Sequence, residues 1–287
     1  MTLRCAWIGL GAMGWPMAGH LHAAGLLTAV WNRSRDKADA FCQQHEAVTV
    51  PDSLAELASG ADAIAICVSA DQDLAQVIDG LLPGLKEGQL VVDHSTVSPQ
   101  AARDQAERLK AAGVGFIDAP VTGGVEGAIK GQLAIMAGGQ WDDYQTAEPL
   151  FDAYGRVHHH LGPVGSGQAG KAVNQLMVAG IAEAVCESLA LLERLDLPRE
   201  PMLELLSGGA AGNWFLDKRG RTMLADEFDI GFAPALLLKD LKICRTLCEQ
   251  LGFDSSVVKQ ALADYQQLVD NGERGRDISA LIHLKQD

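Results

Sequence analysis

Residues 1 to about 160 alternate short β-rich runs with amphipathic stretches, and after Gly167 the β-rich runs stop. The runs are "RCAWIGL", "LTAVWN", "AIAICVS", "LVVDHS", "VGFIDAP", "LAIMAGG" and "RVHHHLG"; between them lie helical patterns such as "SRDKADAFCQQH" and "SPQAARDQAERLKAAG". Strands apolar along their whole length are those covered on both faces, so the alternation predicts an α/β domain with a doubly wound parallel sheet. From Gly167 onward only helical patterns follow: a long one over 165–195, then "PREPMLELLSGG", "NWFLDKRGRTMLAD", "PALLLKDLKICRTLCEQLG" and "SSVVKQALADYQQLVDNG". The expected organisation is a doubly wound α/β domain over 1–162 followed by an all-α domain over 163–287.

With 287 residues, 48% of them hydrophobic, the chain has material for two ordinary cores. A net charge of −14 argues against nucleic acid, whose phosphates need clustered Lys and Arg. The six cysteines are scattered without C-x-x-C, and Cys244 and Cys248 share a helix face as packing residues. No signal peptide is legible, and no segment has the roughly 18 consecutive apolar residues of a membrane span. A soluble, cytoplasmic protein is expected.

The first β-rich run ends in "GLGAMG", which places Gly9, Gly11 and Gly14 in G-x-G-x-x-G spacing. Gly9 permits the tight turn, Gly11 close approach to a pyrophosphate, and Gly14 helix–strand packing. With Leu10, Ala12 and Met13 they form the expected cofactor turn, whose following helix offers free N–H groups to the anion. A plain tight turn is the bland reading. The second run ends "VWNRSRDK", where an NAD-binding chain usually carries a carboxylate for the ribose 2′-hydroxyl. Asn32, Arg33 and Ser34 stand there instead; Arg33 can pair with a 2′-phosphate, so NADP is expected over NAD. Ser34 also suits a helix N-cap. Val68 and Ser69 end the third run, with Asp73 beyond them along the same edge. Thr96 in "DHSTVSP" either reaches the cofactor or caps the helix starting near Pro99.

In "DAPVTGGVEGAIKG", Thr122, Gly123 and Gly124 set a hydroxyl beside consecutive backbone N–H groups, a cradle for a carboxylate substrate or else a flexible connection. In "GSGQAGKAVNQ", Lys171 enters a helix that reads as buried all round. A lysine taken out of water loses basicity from about 10.4 towards neutrality, the range of a general acid/base; the alternative is a side chain that snorkels to solvent. Asn174, three residues on, shares its face. Lys239 in "LLLKDLKIC" either points into a cleft or belongs to a solvated stripe with Asp240 and Lys242. His158, His159 and His160 fall in a strand that splits them between faces, so no metal site is expected. Trp214 and Phe215 suit a pocket floor or a core.

Taken together, these motifs resemble the β-hydroxyacid dehydrogenase family, which includes 3-hydroxyisobutyrate dehydrogenases and semialdehyde reductases. "WIGLGAMGWPMAGHL", "DAPVTGGVEGAIKG", "GSGQAGKAVNQ" and "KDLKICRTLCEQLG" look like its cofactor, substrate, catalytic and late motifs, in order along nearly the whole chain. The resemblance implies that Lys171 is the acid/base. It also implies that Asn174, Thr122, Gly123 and Gly124 hold a small carboxylate substrate, and that Lys239 lies close to nicotinamide and substrate. It further implies an N-terminal Rossmann domain joined by a long helix to an all-α domain, in a homodimer or homotetramer. Two departures stand out: Thr122 occupies the place of the usual serine, and Asn32-Arg33-Ser34 replaces the acidic end of NAD-linked members. The competing readings are an NAD-dependent member of the same family and a non-catalytic dinucleotide-binding scaffold; such scaffolds lose the lysine that this chain keeps. Imine reductases also usually lack it.

Overall fold

In the computed structural model, which describes residues 3–229 and 231–286, each β-rich run forms a strand. The strands are β1 (Cys5–Ile8), β2 (Leu27–Trp31), β3 (Ala63–Ile66), β4 (Leu90–Asp93), β5 (Gly115–Asp118), β6 (Val121–Thr122), β7 (Leu133–Gly139) and β8 (Gly155–Gly162). Only the two-residue β6, inside the glycine-rich stretch, has no counterpart in the sequence pattern. Around them lie α1 (Gly14–Ala23), α2 (Arg35–Gln44), α3 (Leu54–Ser59), α4 (Asp71–Leu81), α5 (Pro99–Lys110), α6 (Gly124–Ile129) and α7 (Trp141–Tyr154).

The sheet runs in the order β2-β1-β3-β4-β5-β7-β6, with β8 paired to β7. β1 to β5 are parallel, as the alternation predicts, while β7 runs antiparallel to both β5 and β6. Neighbouring residues of a strand fall into opposite cores. Trp7, Ala65 and Val92 join Met17, Phe41 and Tyr154 on one face, whereas Ile8, Ile64, Ile66 and Val91 join Leu74 and Ile78 on the other. Period-2 geometry thus splits each all-apolar strand between two helix layers. Local signals set the helix ends: Ser98 caps α5 by accepting from Ala101 N, Pro99 opens that helix, and Arg108 and Lys110 close it.

By compactness the chain divides into two units, 1–171 and 172–287, and α8 (Ser166–Arg194) carries it across that division. The second unit continues with α9 (Arg199–Gly208), α10 (Trp214–Leu224), α11 (Pro234–Leu251), α12 (Ser256–Leu268) and α13 (His283–Gln286). Leu189, Leu237, Leu241, Tyr265 and Ile282 are at its core. Its end is held by Lys285, whose Nζ reaches Glu183 and Asp264 at 2.6 and 2.5 Å.

The expectation that α8 is buried all round is corrected. Val173 and Met177, four residues apart and hence on one face, are 66% and 65% exposed. A helix that is apolar on every side needs cover on every side, and this face has none within the described residues. By length and composition alone α8 could cross a membrane; 44% of its most apolar stretch is buried in the protein.

Candidate active site

In an open α/β sheet, ligands bind where successive crossovers leave a strand towards opposite sides. Here that point lies at the carboxyl ends of β1 and β3. Gly9 turns the chain there with φ +96°, and a Cβ on it would stand 2.1 Å from the Cys67 carbonyl oxygen beyond β3. A Cβ on Gly14 would stand 1.9 Å from the Gly9 carbonyl oxygen, so α1 starts hard against the turn. Gly11 differs: nothing lies within 4 Å of its Cβ position. Open space over the one glycine without an internal packing reason is what a pyrophosphate needs, and the first N–H groups of α1 suit an anion. These residues fit a dinucleotide.

Asn32 works inside the chain. Its Oδ1 accepts from Leu10 N at 2.9 Å and its Nδ2 donates to Ser34 O at 3.0 Å. Arg33 is on the surface, its side chain 84% exposed, with Nη1 3.2 Å from Asp73 Oδ1. Ser34 flanks α2, but its hydroxyl makes no capping bond. Val68 N donates to Ser95 Oγ at 2.8 Å, and Ser69 is exposed. The cap reading of Thr96 is corrected: Ser98 caps α5, and its own hydroxyl donates to Asp71 Oδ2 at 2.6 Å. Thr96 is half-buried at the end of β4.

Lys171 is placed by the first turn of α8. Asp118, at the end of β5, accepts from Gly165 N and Gln168 N at 2.7 and 2.8 Å. Burial pushes its carboxyl up to about 7, against the opposing pull of those N–H groups. Gln168 ties the same turn to the end of β4, with Val97 N donating to its Oε1 and its Nε2 donating to Ser95 O. One turn later Lys171 is 7% exposed, and its Nζ donates to Val121 O at 2.9 Å. It does not snorkel to solvent. The next residues are Thr122, half-buried, then Gly123 and Gly124 at φ +132° and +64°, backbone angles that glycine adopts without strain. The ammonium and the glycine-rich cradle are therefore brought together.

The second unit joins Asn174 to Lys239 through two intermediaries. Asn174 Nδ2 donates to Gln175 Oε1 at 2.8 Å, Gln175 Nε2 donates to Asp240 Oδ2 at 2.6 Å, and Lys239 Nζ lies 3.0 Å from Asp240 Oδ1. Asp240 is 4% exposed, which corrects the reading of Lys239-Asp240 as a solvated stripe. Trp214 and Phe215 separate: Phe215 is core, while Trp214 is half-exposed with the Arg219 guanidinium 5.6 Å from its ring. Sequence reasoning passed over Trp7, Asp118 and Gln168, gave Gln175 no role, and read Asp240 only as part of a solvated stripe. A signal existed for Gln175 and Asp240, polar residues in otherwise apolar helical runs; Asp118 and Gln168 gave none without knowledge of which backbone N–H groups they would face. Among the described residues no group of His, Cys, Asp and Glu could hold a metal.

A glycine-rich turn at the sheet's crossover point and a buried lysine beside a second glycine pair define an oxidoreductase that uses a nicotinamide dinucleotide. Residues 4–162 match the family model for the NAD binding domain of 6-phosphogluconate dehydrogenase. Residues 165–285 match the model for NAD-binding of NADP-dependent 3-hydroxyisobutyrate dehydrogenase. An uncharacterized oxidoreductase of Shewanella frigidimarina is 39% identical over 84% of this chain and 83% of its own length. An NAD-dependent L-serine dehydrogenase of Pseudomonas aeruginosa is 30% identical over 98% and 97%. The structure of Mycobacterium tuberculosis 3-hydroxyisobutyrate dehydrogenase with L-serine is similar over the whole of both chains, with TM-score 0.89 and 27% identity. The chain belongs to the β-hydroxyacid dehydrogenase family, as an NAD(P)-dependent enzyme of the 3-hydroxyisobutyrate dehydrogenase type acting on hydroxyl donors.

Proposed function

We propose that this enzyme interconverts a small carboxylate-bearing aldehyde or keto acid and its hydroxy acid with NADP(H) in preference to NAD(H), and that Lys171 is its acid/base. The observation that carries the reading is the Lys171 ammonium, nearly buried and bonded to the carbonyl just before Thr122-Gly123-Gly124. The Thr122 hydroxyl and the two glycine N–H groups hold the substrate carboxylate, which fixes the carbonyl in place. Lys171 donates a proton to the oxygen as it becomes an alkoxide, and in oxidation takes it back. Val121 O orients the ammonium without competing for its proton. The family resemblance assigns Asn174 to the substrate and Lys239 to substrate and nicotinamide. The dinucleotide, when bound, supplies or accepts the hydride.

The preference for NADP rests on Arg33 with Asn32 and Ser34 in place of a carboxylate. A second reading, NAD use, is favoured by Asp73, which already neutralises Arg33 and would stand near a 2′-phosphate paired with it. We also propose a homodimer or homotetramer, supported by the uncovered apolar face at Val173 and Met177, and a cytoplasmic location.

Lys171→Ala is expected to lower kcat by about a thousandfold, within the range of general acid/base contributions, while dinucleotide binding persists. Wild-type kcat in that variant would sink the assignment. Arg33→Ala is expected to raise KM for NADPH far more than for NADH; equal effects would favour the second reading. The substrate is best sought by following NADPH and NADH with glyoxylate, succinic semialdehyde, tartronate semialdehyde and methylmalonate semialdehyde side by side, with L-serine in the oxidative direction.

A further inference from the structure

Trp7 is fully buried, yet its indole carries an N–H that must find an acceptor. The acceptor is the carbonyl oxygen of Gly9, at 2.9 Å. That oxygen belongs to the Gly9–Leu10 peptide, and the N–H of the same peptide, on Leu10, donates to Asn32 Oδ1 at 2.9 Å. One peptide group in the dinucleotide turn is thus held by a side chain at each end. Because a peptide is planar, two such bonds set the orientation of its plane. Glycine leaves this peptide otherwise easy to rotate, since Gly9 at φ +96° sits where both signs of φ are accessible.

The indole is itself held. It stacks on the His94 ring, 5.6 Å between centroids and 13° between planes, and meets Tyr154 edge-on at 6.1 Å. His94 Nδ1 lies 2.7 Å from Ala119 O, and Nε2 lies 2.7 Å from the Tyr154 hydroxyl. A carbonyl can only accept, so Nδ1 carries the hydrogen and Nε2 accepts from the hydroxyl. The imidazole cannot turn without losing both bonds, and the indole resting on it keeps its N–H aimed at Gly9. Phenylalanine would fill most of this space but has no hydrogen for the carbonyl. The choice of tryptophan at position 7 therefore has a polar reason as well as an apolar one.

We propose that Trp7 is a positioning residue for dinucleotide binding: with Asn32 it fixes the Gly9–Leu10 peptide, and through it the N–H groups of residues 11–13 that receive the pyrophosphate. It acts on the part shared by NADP(H) and NAD(H), unlike Arg33, and does not touch the chemical step.

The test replaces Trp7 alone with 3-benzothienylalanine, which keeps the ring shape and substitutes sulfur for the N–H. Trp7→Phe, Asn32→Ala and the combination of the isostere with Asn32→Ala complete the set. Dissociation constants for NADPH, NADH and ADP-ribose are measured by titration, with Tm and kcat at saturating dinucleotide alongside. Unpinning the turn is expected to weaken binding of all three ligands by up to roughly fivefold, the ceiling reached when the whole worth of one net hydrogen bond goes into ordering the turn on binding. The kcat is expected to stay unchanged and Tm of the isostere to fall only by the few degrees that one lost internal hydrogen bond accounts for. The combined variant is expected to lose less than the product of the single losses, because freeing one end of the peptide already frees its plane. A mere packing role moves Tm without moving these ratios. Unchanged dissociation constants, a loss confined to NADPH, or strictly multiplicative losses would each overturn the proposal.

Discussion

His94→Phe and Asp118→Asn are expected to tilt the pH dependence of stability in opposite directions. His94 is buried, and desolvation lowers its pKa from 6.5 to about 4. Between those values acid protonates the unfolded chain before the folded one, so this residue's contribution is present above pH 6.5 and lost as pH falls towards 4. Each tenfold change in acid strength is worth about 1.4 kcal/mol, which makes the loss about 3 kcal/mol. Asp118 behaves oppositely. Burial raises its carboxyl from 3.8 to about 7, so the folded state holds the proton more tightly. Its contribution is present below pH 3.8 and lost as pH rises through 7, by about 4 kcal/mol on the same arithmetic.

In the wild-type protein the two nearly cancel over this interval. Removing the imidazole should leave a first unit that gains about 3 kcal/mol, relative to wild type, on going from pH 6.5 to 4. Removing the carboxylate should leave one that loses about 4 kcal/mol over the corresponding range. Both substitutions also break hydrogen bonds and lower stability at every pH, so the slope is the diagnostic. Urea unfolding at a series of pH values reads it. Tryptophan fluorescence is suited to the task, because Trp7, Trp15, Trp31 and Trp141 belong to the first unit and only Trp214 to the second. Groups such as Asp62, held low by Arg4, are common to all variants and drop out of the comparison. A His94→Phe profile parallel to wild type would refute the account of a neutral, buried imidazole, and a parallel Asp118→Asn profile would refute that of a proton-holding carboxyl.

Two further outcomes are expected. Gly14→Ala drives a Cβ to within 1.9 Å of the Gly9 carbonyl oxygen, against backbone that cannot yield, so dinucleotide binding should vanish or Tm fall steeply; calorimetry of the variant with and without NADPH decides, and near-normal binding would contradict the packing. Asp73→Asn frees Arg33 from a surface pair worth up to about 1 kcal/mol, so NADPH should bind up to about fivefold more tightly with NADH unchanged; an equal gain for both would remove Asp73 from any part in cofactor choice.

The candidate cofactor turn was legible because it is local. Gly9, Gly11 and Gly14 lie within six residues of one another, and a turn between strand and helix imposes its spacing on the chain directly. The same holds for Thr122-Gly123-Gly124. Lys171 was legible as an anomaly, a charge entering an apolar helix, but its neighbour was not. Val121 is fifty residues away in sequence, and only folding makes its carbonyl the partner of that ammonium. Asp240 read as surface for a similar reason: a charge in an amphipathic helix looks solvated until the glutamine that meets it, Gln175, is brought across from another helix.

What the order of residues determined by itself is therefore the alternation of strands and helices, the two glycine-rich turns and the lysine, since each follows from periodicity or from backbone freedom within a few residues. The tertiary structure decided which polar groups meet: Trp7 with Gly9, Asp118 with the start of α8, Lys171 with Val121, Gln175 with Asp240. It also decided that α8 keeps an uncovered apolar face at Val173 and Met177. A buried donor or carboxylate is stable only beside its partner, and that partner is chosen by the packing of distant segments, which no local pattern encodes.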